Sequence, residues 1–321
     1  MSLVEKALKK LKASGALPRL ERAGGDAALR IGRVVDVERP GAGIVVMPQP
    51  RASIGNGSRT VRIDHDALRT GGFLPPEQHE RELAHQYRTI KRPLIRYAFP
   101  PDPTGLRLTS SAGRTIMVSS ALPGEGKTFT SVNLALSLAM EKDHAVLLVD
   151  GDVAKPHVSQ IFGAADEPGL LDVLADPNRP VESAILSTDT PRLSILPAGR
   201  RSELATELLA SERMRQVIEK LERLDPQMLI VVDSPPVLLT SEARVLATLF
   251  EQIVLVVRAG LTQQQAVLDA IEAIGEKPGL RLVLNQATHV GPGSNYYGYG
   301  YDYGYVSGNS PKNSPTQANM S

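Results

Sequence analysis

The chain has 321 residues, 36 Lys+Arg against 35 Asp+Glu, and no cysteine, so disulfides and thiolate metal centres are excluded. No run approaches the ~18–20 uninterrupted apolar residues that cross a bilayer, and the N-terminus lacks a signal-peptide apolar core, so a soluble cytoplasmic protein is expected. The formal net charge of +1 hides an asymmetry: residues 1–100 hold 18 basic and 10 acidic side chains and the rest 18 and 25, which is +8 against −7.

The predicted elements begin at residues 1–13, where Leu3, Val4, Ala7, Leu8 and Leu11 share one face of an amphipathic helix and Lys6, Lys9, Lys10 and Lys12 lie elsewhere. Such a helix suits a partner, a membrane surface or its own domain equally. The basic front third likewise suits anionic lipid, a neighbour's acidic body or plain solvent. A basic stripe interleaved with aromatics is missing and tryptophan is absent, so no nucleic-acid partner is expected. Residues 14–76 are read as a linker or weakly ordered segment, richest in Gly, Pro, Ala and Arg over 14–58. A helical pattern returns over 77–97 until Pro93 intervenes, and leads into a domain spanning 77–289. Strands are predicted near 115–119, 145–150, 192–197, 228–233, 252–258 and 280–285, with helices near 127–141, 203–224, 241–249 and 262–275. This alternation predicts an α/β fold with a doubly wound, mainly parallel sheet flanked by helices. A Tyr-rich tail occupies 290–321.

The chemistry concentrates at three strand ends. The apolar run Thr115–Ser119 is followed by Ala-Leu-Pro-Gly-Glu-Gly-Lys-Thr at 121–128 and then by a helical pattern, the context that a P-loop requires. Backbone N–H groups from Gly124, Glu125, Gly126, Lys127, Thr128 and Phe129 are expected to surround the phosphates of ATP, aided by the helix N-terminus. Lys127 would reach the β- and γ-phosphates and the Thr128 hydroxyl would ligate Mg²⁺. A second apolar run, Ala145–Val149, ends in Asp150-Gly151-Asp152, and a third, Leu229–Val232, in Asp233-Ser234-Pro235-Pro236. Carboxylates at the carboxyl ends of parallel strands face the ligand crevice of α/β sheets, and Mg²⁺ needs only one or two of them beside phosphate and water. Asp233 fits a Walker-B role. Asn285 and Gln286, at the exit of the last strand, are candidates to contact adenine.

The tail carries Tyr296, Tyr297, Tyr299, Tyr301, Tyr303 and Tyr305, six of the eight tyrosines, interleaved with Gly298, Gly300 and Gly304. Glycine removes packing, so the segment reads as a flexible acceptor rather than a core strand. Sixteen residues separate Asn285 from Tyr301 (301 − 285), which gives an r.m.s. span of about 20–24 Å and up to ~53 Å fully stretched. That reach favours phosphoryl transfer to the tail in trans, from a neighbouring copy's site.

With these segments in order, the chain resembles the bacterial tyrosine kinases of polysaccharide export: a Walker A, an apolar run ending Asp-x-Asp (Walker A′), a Walker B reading Asp-Ser-Pro-Pro, and a C-terminal tyrosine cluster. Leu196-Pro197-Ala198-Gly199, Glu207-Leu208-Leu209 and Asn285 add to the likeness. The opening Ser2–Leu8 and the segment Ile90-Lys91-Arg92-Pro93-Leu94 are similar to single-chain exopolysaccharide autokinases linked to exosortase gene clusters. The resemblance implies an ATP- and Mg²⁺-dependent tyrosine autokinase that regulates exopolysaccharide synthesis, export and chain length. It implies that Lys127, Asp150 and Asp152 are catalytic, that one of the two aspartates takes the phenol proton, and that Thr128, Asp152 and Asp233 order the metal. It further implies a homo-oligomer, a separate transmembrane activator of the chain-length-determinant type, a cognate tyrosine phosphatase, and a cytoplasmic protein held at the inner membrane through its partner. Two departures stand out. Ala154 replaces the family's usual arginine, and His85–Lys91 keeps only Arg88 of the Glu-x-x-Arg-x-x-Arg assembly motif. The rivals are a partition- or division-site-type P-loop ATPase, which would carry Lys where Leu122 stands, and a nucleotide-binding regulator without turnover.

Overall fold

The computed structural model describes residues 60–100 and 113–287. The amphipathic helix of 1–13, most of the linker and the whole tyrosine cluster therefore lie outside the described residues. Eight strands form one sheet in the order β1-β4-β5-β3-β6-β2-β7-β8. They are β1 (Thr60–Val61), β2 (Thr115–Ser120), β3 (Ala145–Asp150), β4 (Leu186–Thr188), β5 (Leu193–Leu196), β6 (Met228–Asp233), β7 (Gln252–Arg258) and β8 (Gly279–Asn285). Only β4 and β5 pair antiparallel. The central strands are apolar on both faces because helices cover both, as parallel sheets require. One buried layer holds Met117, Leu147, Ile230 and Leu255; the opposite layer holds Ile116, Leu148, Val231 and Val254. These neighbours in sequence point to opposite sides, the two-residue period of a strand.

The helices are α1 (His65–Thr70), α2 (Glu80–Ala98), α3 (Lys127–Ala139), α4 (His157–Ile161), α5 (Leu170–Ala175), α6 (Ala205–Leu209), α7 (Glu212–Leu224), α8 (Ser241–Leu249) and α9 (Gln264–Ile274). The mainly parallel architecture is as the sequence predicts, with three corrections. Residues 60–76, placed in the linker, fold: Asp64 caps α1 by accepting from the Asp66 and Ala67 N–H groups, and Ile63 and Leu68 are buried beneath. Burying one such side chain is worth about 1.5–3 kcal/mol, which a short polar-looking segment gains only from its neighbours. Pro93 does not stop α2, which continues to Ala98, with Leu94 fully buried and packed on α3's side of the sheet. The long helix expected over 203–224 is two helices, broken where Ser211 becomes the N-cap of α7 and accepts from Met214 N–H.

Within α2, Lys91 is buried and donates to the Ser137 carbonyl at 2.6 Å while pairing with Glu141 at 2.7 Å. This residue, aligned above with an assembly motif, thus fastens α2 to α3, whereas Arg88 is exposed.

Candidate nucleotide site

The loop of residues 121–126 leaves β2, the strand hydrogen-bonded between β6 and β7, and opens α3. Gly126 has φ 93°, in the left-handed region, and a Cβ placed there would stand 2.0 Å from Asn285 Nδ2. Glycine is required twice over, by backbone and by space. No side chain caps the start of α3 and no acidic residue lies in its first turn. Its N-terminal N–H groups are thus free of the competing carboxylate that most helices place there, which suits an anion.

Behind the loop, the three predicted carboxylates converge. Asp150 and Asp233 are register partners at the carboxyl ends of β3 and β6, and both are fully buried. Gly151 allows the approach: its N–H donates to the Asp233 carbonyl at 2.8 Å, and a Cβ would lie 2.8 Å from that oxygen. Lys127, 9% exposed, donates to Asp152 Oδ2 at 2.5 Å and lies 3.5 Å from Thr128 Oγ1. The Thr128 hydroxyl donates to Asp233 Oδ2 at 2.7 Å, and Ser131 Oγ to Asp233 Oδ1 at 2.9 Å. Asp152, Lys127, Thr128, Asp233 and Ser131 therefore form one continuous polar chain across three segments.

Asp150 stands apart from that chain. Its Oδ2 accepts from both the N–H and the hydroxyl of Ser159, each at 2.7 Å, while its Oδ1 is buried without a partner. Burial and the adjacent Asp233 charge raise its pKa to about 7, against the two Ser159 hydrogen bonds. Burial also raises Asp233, opposed by the Lys127 charge and the Thr128 and Ser131 hydroxyls. Burial works against the Lys127 ammonium, but Asp233, Asp152 and Asp150 together outweigh it and hold its pKa above the usual lysine value. The local balance is three carboxylates to one cation. Among the described residues no three His, Cys, Asp or Glu side chains are grouped to hold a metal by themselves, so a hard cation such as Mg²⁺ would take the Thr128 hydroxyl and one or two of these carboxylates beside phosphate and water.

Glu125 is predicted to act through its backbone, and its side chain turns out to brace the loop. It is 3% exposed; Oε2 accepts from Leu122 N–H at 2.6 Å and Oε1 from the Thr262 hydroxyl. Thr262 in turn accepts from Arg258 N–H at 3.1 Å, at the end of β7. The Glu125 carbonyl accepts from Asn285 Nδ2 at 2.9 Å, so Asn285, a candidate to contact adenine, grips the backbone of the loop. Ser234 and Val237 N–H groups donate to the Val118 and Ser120 carbonyls, zipping the Asp-Ser-Pro-Pro segment onto β2. Phe129 is half-buried in the first turn of α3, and its carbonyl accepts from Asn133 Nδ2 at 2.8 Å. Sequence reasoning missed Ser131, Ser159 and Thr262. Of these, only Ser131 leaves a local signal, four residues after Lys127 on the same helical face.

Residues 113–277 match the family model described as "AAA domain", which is more than half of the chain. The tyrosine-protein kinase YwqD of Bacillus subtilis (strain 168) is 32% identical over 161 residues, 50% of this chain and 66% of its own. The tyrosine-protein kinase ptk of Acinetobacter johnsonii is 30% identical over 174 residues, 53% of this chain and 23% of its own. This chain belongs to the AAA domain family, and the curated relatives named above are tyrosine-protein kinases. The solved kinase domain of VpsO agrees: TM-score 0.53 and 26% identity, over 66% of this chain and 100% of that one. The chain thus spans less than two thirds of the length of these two curated relatives. No helix among the described residues is long and apolar enough to cross a membrane.

Proposed function

We propose that this protein is an ATP- and Mg²⁺-dependent protein-tyrosine autokinase that phosphorylates its tyrosine cluster in trans and so regulates exopolysaccharide synthesis, export and chain length. The supporting observation is the polar chain from Asp152 through Lys127 and Thr128 to Asp233, set against an uncapped helix start. The tyrosine-kinase relatives favour a phenol as acceptor.

In this reading Thr128, Asp233 and Asp152 would hold Mg²⁺, which would supply charge neutralisation on the transferring phosphate. Loop N–H groups from Gly124 to Phe129 orient the triphosphate, and Lys127 bears on its β- and γ-phosphates. The phenol oxygen of a tyrosine among 296–305 forms the new bond to the γ-phosphorus while the bond to the β-phosphate oxygen breaks and ADP leaves. The phenol proton passes to a carboxylate. Asp150 fits that role better than Asp152, because its Oδ1 is uncommitted whereas Asp152 is engaged by Lys127. Ser159 holds Asp150 in place. A homo-oligomer would present the acceptor, a membrane activator of the chain-length-determinant type would dock the enzyme at the inner membrane, and a phosphatase would reset it.

Incubating purified protein with Mg-ATP and probing for phosphotyrosine tests this directly. Label on residues 296–305 that disappears in Lys127→Met is the expected result. Nucleotide hydrolysis without any tyrosine label would instead indicate an ATPase, and the proposal would fall.

A further inference from the structure

Far from the nucleotide, at the amino end of the sheet, a cavity of about 530 Å³ is lined by Arg92, Pro93, Arg96, Tyr97, Pro100 and Arg281. Its place is fixed by the fold. Gln252, fully buried at the start of β7, donates to the carbonyls of Leu94 in α2 and Gly113 before β2, which brings the end of α2 against the amino ends of the central strands. Gly113 has φ 97°, and its Cα face lies against the Tyr97 ring. Arg281, in β8, puts its guanidinium 5.5 Å from the Tyr97 ring centroid and donates to the Gly279 carbonyl at 2.9 Å. Arg92 and Arg96 are four residues apart on α2, hence on one helical face, and both are exposed.

Among the described residues the charge here is uncompensated. Among the described residues none of these three arginines has a carboxylate within ion-pair distance, although several others, such as Arg69, Arg200 and Arg223, do. Burial lowers the Arg281 pKa, with Tyr97 opposing. Glu251 is the acidic side chain felt at Tyr97 among the described residues. A half-buried guanidinium with spare N–H donors, flanked by two more and floored by an aromatic ring, presents planar donors and a stacking face together. Arginine forks match phosphate geometry, and the ring offers a shelf to a second aromatic.

We propose that this cavity is a binding site for a phosphotyrosyl side chain presented by a second copy of the chain: the phosphate lies among Arg92, Arg96 and Arg281, and the phenyl ring packs on Tyr97. The concave shape and the aromatic floor favour a single aryl phosphate over a lipid surface, which a convex cluster of cations would serve better. The inference deepens the proposed function, because phosphotyrosine is that reaction's product; it makes the site a reader of the product, remote from where the product forms.

The test uses full-length protein and synthetic peptides of sequence 294–307, with Tyr301 either phosphorylated or not, so that its outcome does not depend on catalysis. Titration by fluorescence anisotropy is expected to show the phosphopeptide binding at least about tenfold tighter than the unmodified one. Arg281→Gln and, separately, Arg96→Gln are expected to remove that preference, while thermal melts verify that each remains folded. Lys127→Met is expected to keep it, which separates a failure of this site from a failure of the kinase reading. Equal affinity for the two peptides, a preference that survives both arginine variants, or binding to phosphatidylserine vesicles without phosphopeptide preference would overturn the proposal.

Discussion

The two ends of the sheet handle charge in opposite ways. At the carboxyl end, three buried carboxylates surround Lys127, and all but one of their oxygens have partners, drawn from α3, α4 and the Lys155 backbone N–H. At the amino end, Arg92, Arg96 and Arg281 share a cavity that no carboxylate among the described residues lines. The first arrangement is costly to break, because removing one member strands another charge without water. The second tolerates single changes, because each arginine keeps contact with solvent. The difference indicates where a substitution should act on folding and catalysis together, and where it should act on binding alone.

The strongest way to break this contrast is Lys127→Met. It removes the ammonium on which the charges of Asp233, Asp152 and Asp150 converge. Phosphotransfer is expected to fall by about a thousandfold or more, measured with radiolabelled ATP. Next in size, Asp233→Ala frees the Thr128 and Ser131 hydroxyls from their shared acceptor. Nucleotide affinity in the presence of Mg²⁺ is expected to weaken by about ten- to a hundredfold with little change when EDTA replaces the metal, read by calorimetry. A metal-independent loss would show that Asp233 only supports the loop.

Thr262→Val sharpens the same comparison from behind the loop, where Thr262 meets Glu125. It deletes the hydroxyl that links Glu125 to Arg258 N–H while keeping the side chain's shape. A rise of about three- to tenfold in KM for ATP, with kcat nearly unchanged, is expected from losing one buried hydrogen bond. The smallest effect concerns His144, which stacks on Phe99 at 4.2 Å and whose pKa burial holds below the ordinary histidine value. Below pH ~6.5 the unfolded chain takes up a proton that the folded His144 refuses, so stability is lost as pH falls from about 7 and levels off once the folded pKa is passed. Melting at pH 7.5 and pH 5.5 is expected to show a drop on the order of 1–2 °C attributable to this group, absent in His144→Phe.

Much of the carboxyl end was legible because its signals are local. A β-branched run with an aspartate at its last position announces both the strand and the side chain's place, and Lys127, Asp150, Asp152 and Asp233 meet as expected. The brace between Glu125 and Thr262 spans 137 residues, and the link from Asn285 to Glu125 spans 160. No pattern in a window of sequence encodes such a pair. Helices α4 and α5, of 5 and 6 residues, escaped notice because so short a helix has little intrinsic stability and exists by packing. Pro93 misled for a related reason: the helix-breaking tendency of proline is outweighed when the following turn buries Leu94 and Ala98.

Asn285 ties the end of β8 to the loop. Its amide sits where any side chain at residue 126 would have to go, and it holds the loop's own backbone oxygen. The last residue of the final strand is thereby bolted to the phosphate-binding turn. Tension applied to the polypeptide beyond this point would reach Glu125 through one side chain, and the end of β7 through the Asn285 carbonyl, which accepts from Ala259 N–H.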